Sequence, residues 1–163
     1  MQINFWLEWF RQGKRLQSEF KNPHKFALFE EYIERIAKFV PVKVGKCPEN
    51  EVLKANTALL ICELPKNINK TSISNTPYDL SSEALATKIE SWRLKGVPNL
   101  IVAVGPADGW SAQHKTLFEK HKQKSYWTIS SLTFPHELAA VLVSEQIYRA
   151  LTIINGTPYH CGH

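Results

Sequence analysis

An α/β domain with a mostly parallel sheet is predicted from three features of the sequence. Apolar runs of strand length occur at 57–64 (TALLICEL) and 99–104 (NLIVAV). Between such runs lie stretches with apolar residues at helical spacing, as at 26–40, 85–92 and 138–151. Clusters of Gly, Pro, Asn and Ser punctuate the two kinds of segment. With 163 residues the chain suits one core, so a single domain over 1–163 is expected.

The elements follow in order. Ile3, Phe5, Leu7 and Trp9 alternate with Gln2, Asn4, Trp6 and Glu8, a period of two that suggests an opening strand, with a helix as the alternative. The polar, basic stretch GKRLQSEFKN reads as a loop or frayed turn. Asn22 before Pro23 is a helix start, Asn as cap and Pro in the first turn. Phe26, Phe29, Ile33, Ile36 and Val40 give that helix its apolar stripe, and Pro41 stops it. Val42 and Val44 begin a second short strand, and 57–64 forms a third. The Pro, Asn, Ser and Thr of 65–80 have loop chemistry. Ser81 or Ser82 caps the next helix, whose buried stripe is Leu85, Ile89 and Trp92 and which ends at Gly96. Strand 99–104 runs into the turn-rich GPADGWS. A helix at about 111–122, a strand at 125–130 and a long helix at about 136–154 complete the chain, the last with Leu138, Leu142, Ile147 and Leu151 on its apolar face.

Composition narrows the function. The net charge of +5 fits an RNA or phosphate partner without requiring one. Cys47, Cys62 and Cys161 are odd in number and widely spaced, as expected of reduced thiols in a cytoplasmic protein rather than a disulfide framework. The apolar opening MQINFWLEWF lacks the basic segment of a signal peptide, and no apolar run approaches the roughly 20 residues of a membrane span. His136, His160 and His163 lack a completing ligand at standard spacing, so no metal is expected.

In open parallel sheets, ligands bind beyond the carboxyl ends of strands. Three such ends stand out: CELP at 62–65, GPADG at 105–109 and SSLTFPHE at 130–137. GPADG lacks the spacing of a dinucleotide fingerprint or a P-loop and, taken alone, reads as a turn. SSLTFPHE reads either as an ordinary strand-to-helix loop or as a segment whose backbone pairs with a base edge while Leu132 and Phe134 cover its face. Glu145 and Arg149, four apart on the last helix, can pair across one turn.

The last third of the chain carries a specific likeness. SSLTFPH, VLVSEQIYRA and INGTPYH, all within 130–160, resemble the C-terminal signature of the SPOUT-class family that methylates N3 of a pseudouridine in helix 69 of large-subunit ribosomal RNA. Upstream, FEEYIERI at 29–36 resembles the first-helix pattern of that family and VAVGPADGWS its glycine loop. The likeness implies a SPOUT (α/β-knot) fold, with the C-terminal segment threaded into a trefoil knot, and a homodimer that binds S-adenosyl-L-methionine in the knot. It implies cofactor contacts at Cys62, Gly105, Gly109, Ile129, Ser130, Ser131, Leu132, Thr133 and Phe134. It places Tyr159 and His160 on the RNA side of an active site shared with the partner subunit. Loss of the N3 proton calls for a nearby base, for which His160 is the candidate. Arg149 is read as a phosphate contact or as the group that orients Glu145, both counted with the catalytic candidates. The implied partners are large-subunit ribosomal RNA, or the ribosome, and a second copy of the chain.

The chain departs from the family where Pro106 replaces a glycine, Ala140 an arginine, Cys62 a leucine, and Cys161 a basic residue. The helix before the third strand is shortened to PENEVLKAN and the loop after that strand is longer. Two functions remain open on sequence alone. An rRNA methyltransferase is favoured by Gly105, Gly109, SSLTFPH and Tyr159-His160; a ribosome-docking protein of the same fold with weak or no catalysis is favoured by Pro106, Ala140 and the altered tail.

Overall fold

The computed structural model describes residues 1–47, 49–52, 54–63, 81–130 and 132–159. The expected loop at 65–80, and Leu64 of the expected third strand, lie outside the described residues, as do Ser131, His160, Cys161 and His163.

Along the chain the elements are β1 (Gln2–Leu7), α1 (Leu16–Glu19), α2 (Pro23–Ala37), β2 (Val42–Gly45), α3 (Glu49–Val52), β3 (Thr57–Cys62), α4 (Ser82–Leu94), β4 (Asn99–Val104), α5 (Ala112–Glu119), β5 (Lys124–Trp127) and α6 (His136–Ile154). The five strands form one sheet in the order β2-β1-β4-β3-β5, and every pairing is parallel. Crossover helices cover both faces, as a parallel sheet requires. Ile3, Phe5 and Leu7 of β1 pack with α2, α4 and α6, while Trp6 points to the opposite face with Val52, Trp110, Leu117 and Phe118. Burial on both faces explains why β3 and β4 read as unbroken apolar runs.

Local chemistry sets the helix ends. Asn22 Oδ1 accepts from the backbone N–H groups of His24 and Lys25, with Pro23 in the first turn. Ser81 Oγ accepts from Ala84 N, and Ser111 Oγ from His114 N. Gly96 ends α4 at φ +73°, a conformation that disfavours a side chain.

Several expectations need adjustment. The strand expected at 125–130 is Lys124–Trp127, leaving 128–130 to leave the sheet as a loop. The helix expected at 111–122 is Ala112–Glu119. The basic stretch after β1 contains the helical turn α1, held by buried Glu19, whose carboxylate takes Arg11 Nε, Nη2 and backbone N. Helix α6 keeps its expected bounds, but Leu138 and Leu142 are only half-buried. Its buried face is Ala140, Val141, Val143, Ser144, Ile147, Ala150 and Leu151, because α6 is wedged between α2 and α4 and small residues let the helices approach. Ala140 is fully buried, so a long side chain has no room at this position.

Candidate functional site

The carboxyl ends of β3, β4 and β5 meet in one cleft that opens to solvent. β3 contributes Cys62 and Glu63, and the loop after β4 contributes Gly105, Pro106, Gly109 and Trp110. The segment after β5 contributes Thr128, Ile129, Ser130, Leu132 and Phe134, and α6 closes the base with His136 and Ala139. Pairing explains the convergence: Cys62 lies in register with Val104 on one side and Trp127 on the other, so the three strands end at one level.

Two contacts shape the walls. Trp110 donates its indole N–H to the Cys62 carbonyl oxygen at 2.9 Å, tying the β4 loop to the end of β3. Gly105 packs under the same indole, where a Cβ would lie 3.0 Å from Trp110 Cε2. Gly109 turns the loop at φ +92° and its N–H reaches the Pro106 carbonyl at 2.9 Å, so Pro106 takes part in the turn as an acceptor and needs no N–H for it. Across the cleft, Thr128 Oγ1 donates to the Ser130 carbonyl at 3.0 Å and Ser130 Oγ accepts from Leu132 N at 2.9 Å, holding the β5 exit in a fixed curve.

The cleft offers apolar walls from Val104, Trp110, Ile129, Leu132, Phe134 and Ala139, backbone polar groups at strand ends, and one carboxylate, Glu63. Burial pushes the Cys62 thiol well above its ordinary range, so it stays protonated and is no nucleophile.

Of the cofactor positions expected from the sequence, Cys62, Gly105, Gly109, Ile129, Ser130, Leu132 and Phe134 line the cleft. Thr133 is exposed and is not among its lining residues, and Ser131 lies outside the described residues. Trp110, Thr128 and Ala139 were not singled out in the sequence, and Glu63 and His136, though within the quoted CELP and SSLTFPHE segments, were not among the expected cofactor positions. Trp110 directly follows the GPADG segment, and that adjacency is the signal that could have found it.

The expected RNA-side residues form a second cluster further along α6. Arg149 Nη2 and Nε donate to Glu145 Oε1 at 2.7 and 3.0 Å, and the Tyr159 hydroxyl donates to the same oxygen at 3.1 Å. Both charged side chains are more than three-quarters covered, so this is not the surface pair that spacing alone suggests. The Arg149 guanidinium lies 5.0 Å from the Tyr159 ring centroid, which packs edge-on against Tyr148 at 4.7 Å. Gln146 Nε2 holds the other Glu145 oxygen at 2.6 Å, and Ser82 Oγ of α4 donates to Gln146 Oε1 at 2.7 Å. Burial, then hydrogen bonding with Tyr32, then the Glu145 charge push the Tyr159 phenol far up, so it stays protonated at neutral pH. Tyr32 and Arg35 of α2 complete the cluster, Arg35 lying 5.5 Å from the Tyr32 ring centroid and 5.6 Å from that of Tyr148. Neither was identified as functional in the sequence, because only packing of α2 on α6 brings them to the tail.

The cleft and this cluster are apart within one protomer. Ala139 lines the cleft and Glu145 lies six residues further along the same helix, an axial separation of about 9 Å. Among the described residues no group of three His, Cys, Asp or Glu side chains could hold a metal ion, and no helix is long and apolar enough to cross a membrane.

Comparison with known proteins gives this geometry its context. The family described as "Predicted SPOUT methyltransferase" matches residues 17–160. A protein of Francisella philomiragia named ribosomal RNA large subunit methyltransferase H is 30% identical over 141 residues, covering 81% of this chain and 87% of that protein. Proteins of the same name from Koribacter versatilis (33% over 138 residues, 82% and 86%) and Acinetobacter baumannii (33% over 144 residues, 81% and 87%) are similarly related. A match running through every strand of the sheet except β1 and through all three walls of the cleft establishes that the chain belongs to the SPOUT methyltransferase family.

Proposed function

We propose that this protein is an S-adenosyl-L-methionine-dependent methyltransferase that modifies large-subunit ribosomal RNA, with N3 of a pseudouridine as the acceptor. The observation that carries the reading is the single cleft built by the ends of β3, β4 and β5. Its apolar walls and the backbone polar groups at its strand ends suit an adenosyl group. The relatives named as large-subunit rRNA methyltransferases favour catalysis over docking alone.

When bound, the cofactor supplies a methyl group already activated on sulfur. The residues of the chain then have three tasks. Val104, Trp110, Ile129, Leu132 and Phe134 exclude water and hold the cofactor in one orientation. Glu63 places negative charge beside a cationic ligand. The Glu145–Arg149–Tyr159 cluster holds Tyr159 in place, and we assign His160, the next residue in the sequence, to accept the N3 proton. Tyr159 itself is unsuited to be the base, since its phenol holds its proton; it serves as a donor and a stacking surface.

The same proposal includes a homodimer in which the tail of one copy serves the cleft of the other. Half-buried Leu138 and Leu142 on α6, with Leu132 at 66% exposure beside the cleft, offer apolar surface for that partner. The knotted path of the C-terminal segment and a cytoplasmic location on the ribosome belong to the same proposal.

Calorimetry with S-adenosyl-L-methionine, followed by methyl transfer onto large subunits lacking the modification, tests the reading. Saturable binding and incorporation at one pseudouridine are expected. Absence of binding at millimolar cofactor would remove the enzyme; binding with transfer to another nucleotide would remove the assigned acceptor.

A further inference from the structure

The charge of this protein is concentrated in one short segment beside the cleft. Residues 11–25 hold five cations, Arg11, Lys14, Arg15, Lys21 and Lys25, against one carboxylate, Glu19, a net +4 in a chain whose total is +5. The remaining 148 residues are therefore almost neutral.

The segment is built rather than loose. Gly13 turns it at φ +80°. Glu19 closes it by gripping Arg11 through both side chain and backbone, with Arg11 Nη2 at 3.0 Å. Phe20 is buried against Phe26 and Phe29. Two contacts fix it to the start of α6 at the cleft: Lys21 N donates to Glu137 Oε1 at 2.6 Å, and the Trp9 ring packs on His136 at 4.6 Å. His136 itself lines the cleft.

Two of the five cations are spoken for, Arg11 by Glu19 and Lys25 by Glu137 at 3.9 Å. Lys14, Arg15 and Lys21 are exposed and form no ion pair among the described residues. Holding like charges together opposes folding, so this arrangement has no structural benefit of its own. It is the footprint of a polyanion.

We infer that Lys14, Arg15 and Lys21 form a phosphate-binding surface that grips the ribosomal RNA backbone and delivers the target nucleotide to the adjoining cleft. The inference rests on the proposed rRNA substrate. An RNA is favoured over an anionic membrane because the exposed large apolar side chains among the described residues, Leu28, Leu94 and Leu132, all lie outside 11–25, leaving nothing in the segment to insert into lipid.

The test compares the full-length protein with K14Q/R15Q/K21Q and with the charge-preserving K14R/R15K/K21R. The probes are purified large ribosomal subunits lacking the modification and S-adenosyl-L-methionine alone. The neutral variant is expected to bind cofactor with unchanged affinity by calorimetry. Its affinity for subunits should fall at least tenfold at about 0.1 M salt, with a log–log salt slope shallower by about two to three. Transfer should fall at low subunit concentration and recover at saturation, a KM effect with kcat retained. The charge-preserving variant should behave as wild type. An unchanged salt slope, a loss confined to kcat, or equal failure of both variants overturns the inference. Binding of wild type to vesicles of anionic phospholipid, abolished by the neutral variant while subunit binding persists, reassigns the surface to membrane. If wild type transfers no methyl group, the rRNA methyltransferase reading fails; if it transfers and the neutral variant matches it, only the phosphate surface fails.

Discussion

The indole N–H of Trp110 is bonded to the carbonyl oxygen of Cys62 at 2.9 Å, across 48 positions of sequence. This bond joins two walls of the cleft, and Trp110 is also buried among Trp6, His114 and Phe118. Trp110→Phe keeps an aromatic ring in that cluster but leaves the Cys62 carbonyl without this donor. A loss of about 1 kcal/mol in stability is expected, with a several-fold weaker affinity for S-adenosyl-L-methionine. Urea denaturation and calorimetry check both; unchanged cofactor affinity would detach this contact from the site.

Gly105→Ala places a Cβ 3.0 Å from Trp110 Cε2 and 3.1 Å from its Nε1. The indole cannot retreat freely, because its N–H is bonded and its ring is packed. Overpacking of this kind costs about 1–3 kcal/mol. A lower Tm together with weakened cofactor binding is expected, and Gly105→Ala combined with Trp110→Phe should lose less than the sum of the two single changes, as coupled neighbours do.

Tyr159→Ala removes the donor to Glu145 and the ring on which Arg149 lies. Methyl transfer should fall by more than a hundredfold while cofactor binding in the cleft, which Tyr159 does not line, survives. Tyr159→Phe should retain part of the activity, since the ring contacts with Tyr148 and Arg149 remain. Full turnover by Tyr159→Ala, or by a chain lacking residues 159–163, would remove the tail from the reaction.

His121 gives the fold an acid-sensitive point. It is buried, its Nδ1 accepts from Gln123 N at 3.1 Å, and its Nε2 meets no partner among the described residues. Burial, then the charge of Lys124, lower its pKa below the ordinary 6.5. A folded-state pKa below the unfolded value means the unfolded chain takes up the proton first. The contribution of neutral His121 is therefore intact above about pH 6.5 and is lost as pH falls through the folded-state pKa. Stability measured from pH 7.5 down to 5 should decline over this range, and His121→Asn, which keeps an acceptor near the Nδ1 position, should flatten the decline. An identical pH profile in the variant would assign the sensitivity elsewhere.

Much of this architecture is written locally. Asn22-Pro23, Ser81 and Ser111 mark helix starts because their side chains satisfy backbone donors within three residues. The bounds of α6 and the buried stripe Leu85, Ile89 and Trp92 of α4 follow from periodicity. The segments that would make the cleft are also legible, since each is a strand end followed by small or turn-forming residues. The buried face of α6 was not: Leu138 and Leu142 outrank Ala140 and Ala150 in hydrophobicity, yet the small residues are buried because α2 and α4 approach there.

From sequence alone come the α/β class, the helix caps, the strands and the segments that make up the site, because each depends on neighbours within a few positions. The order β2-β1-β4-β3-β5, the meeting of three strand ends in one cleft, the approach of Tyr32 to Tyr159 and the docking of the cationic segment on α6 were decided only in three dimensions. Parallel strands find their partners through long crossovers, and a strand carries no local mark of which neighbour it will pair with.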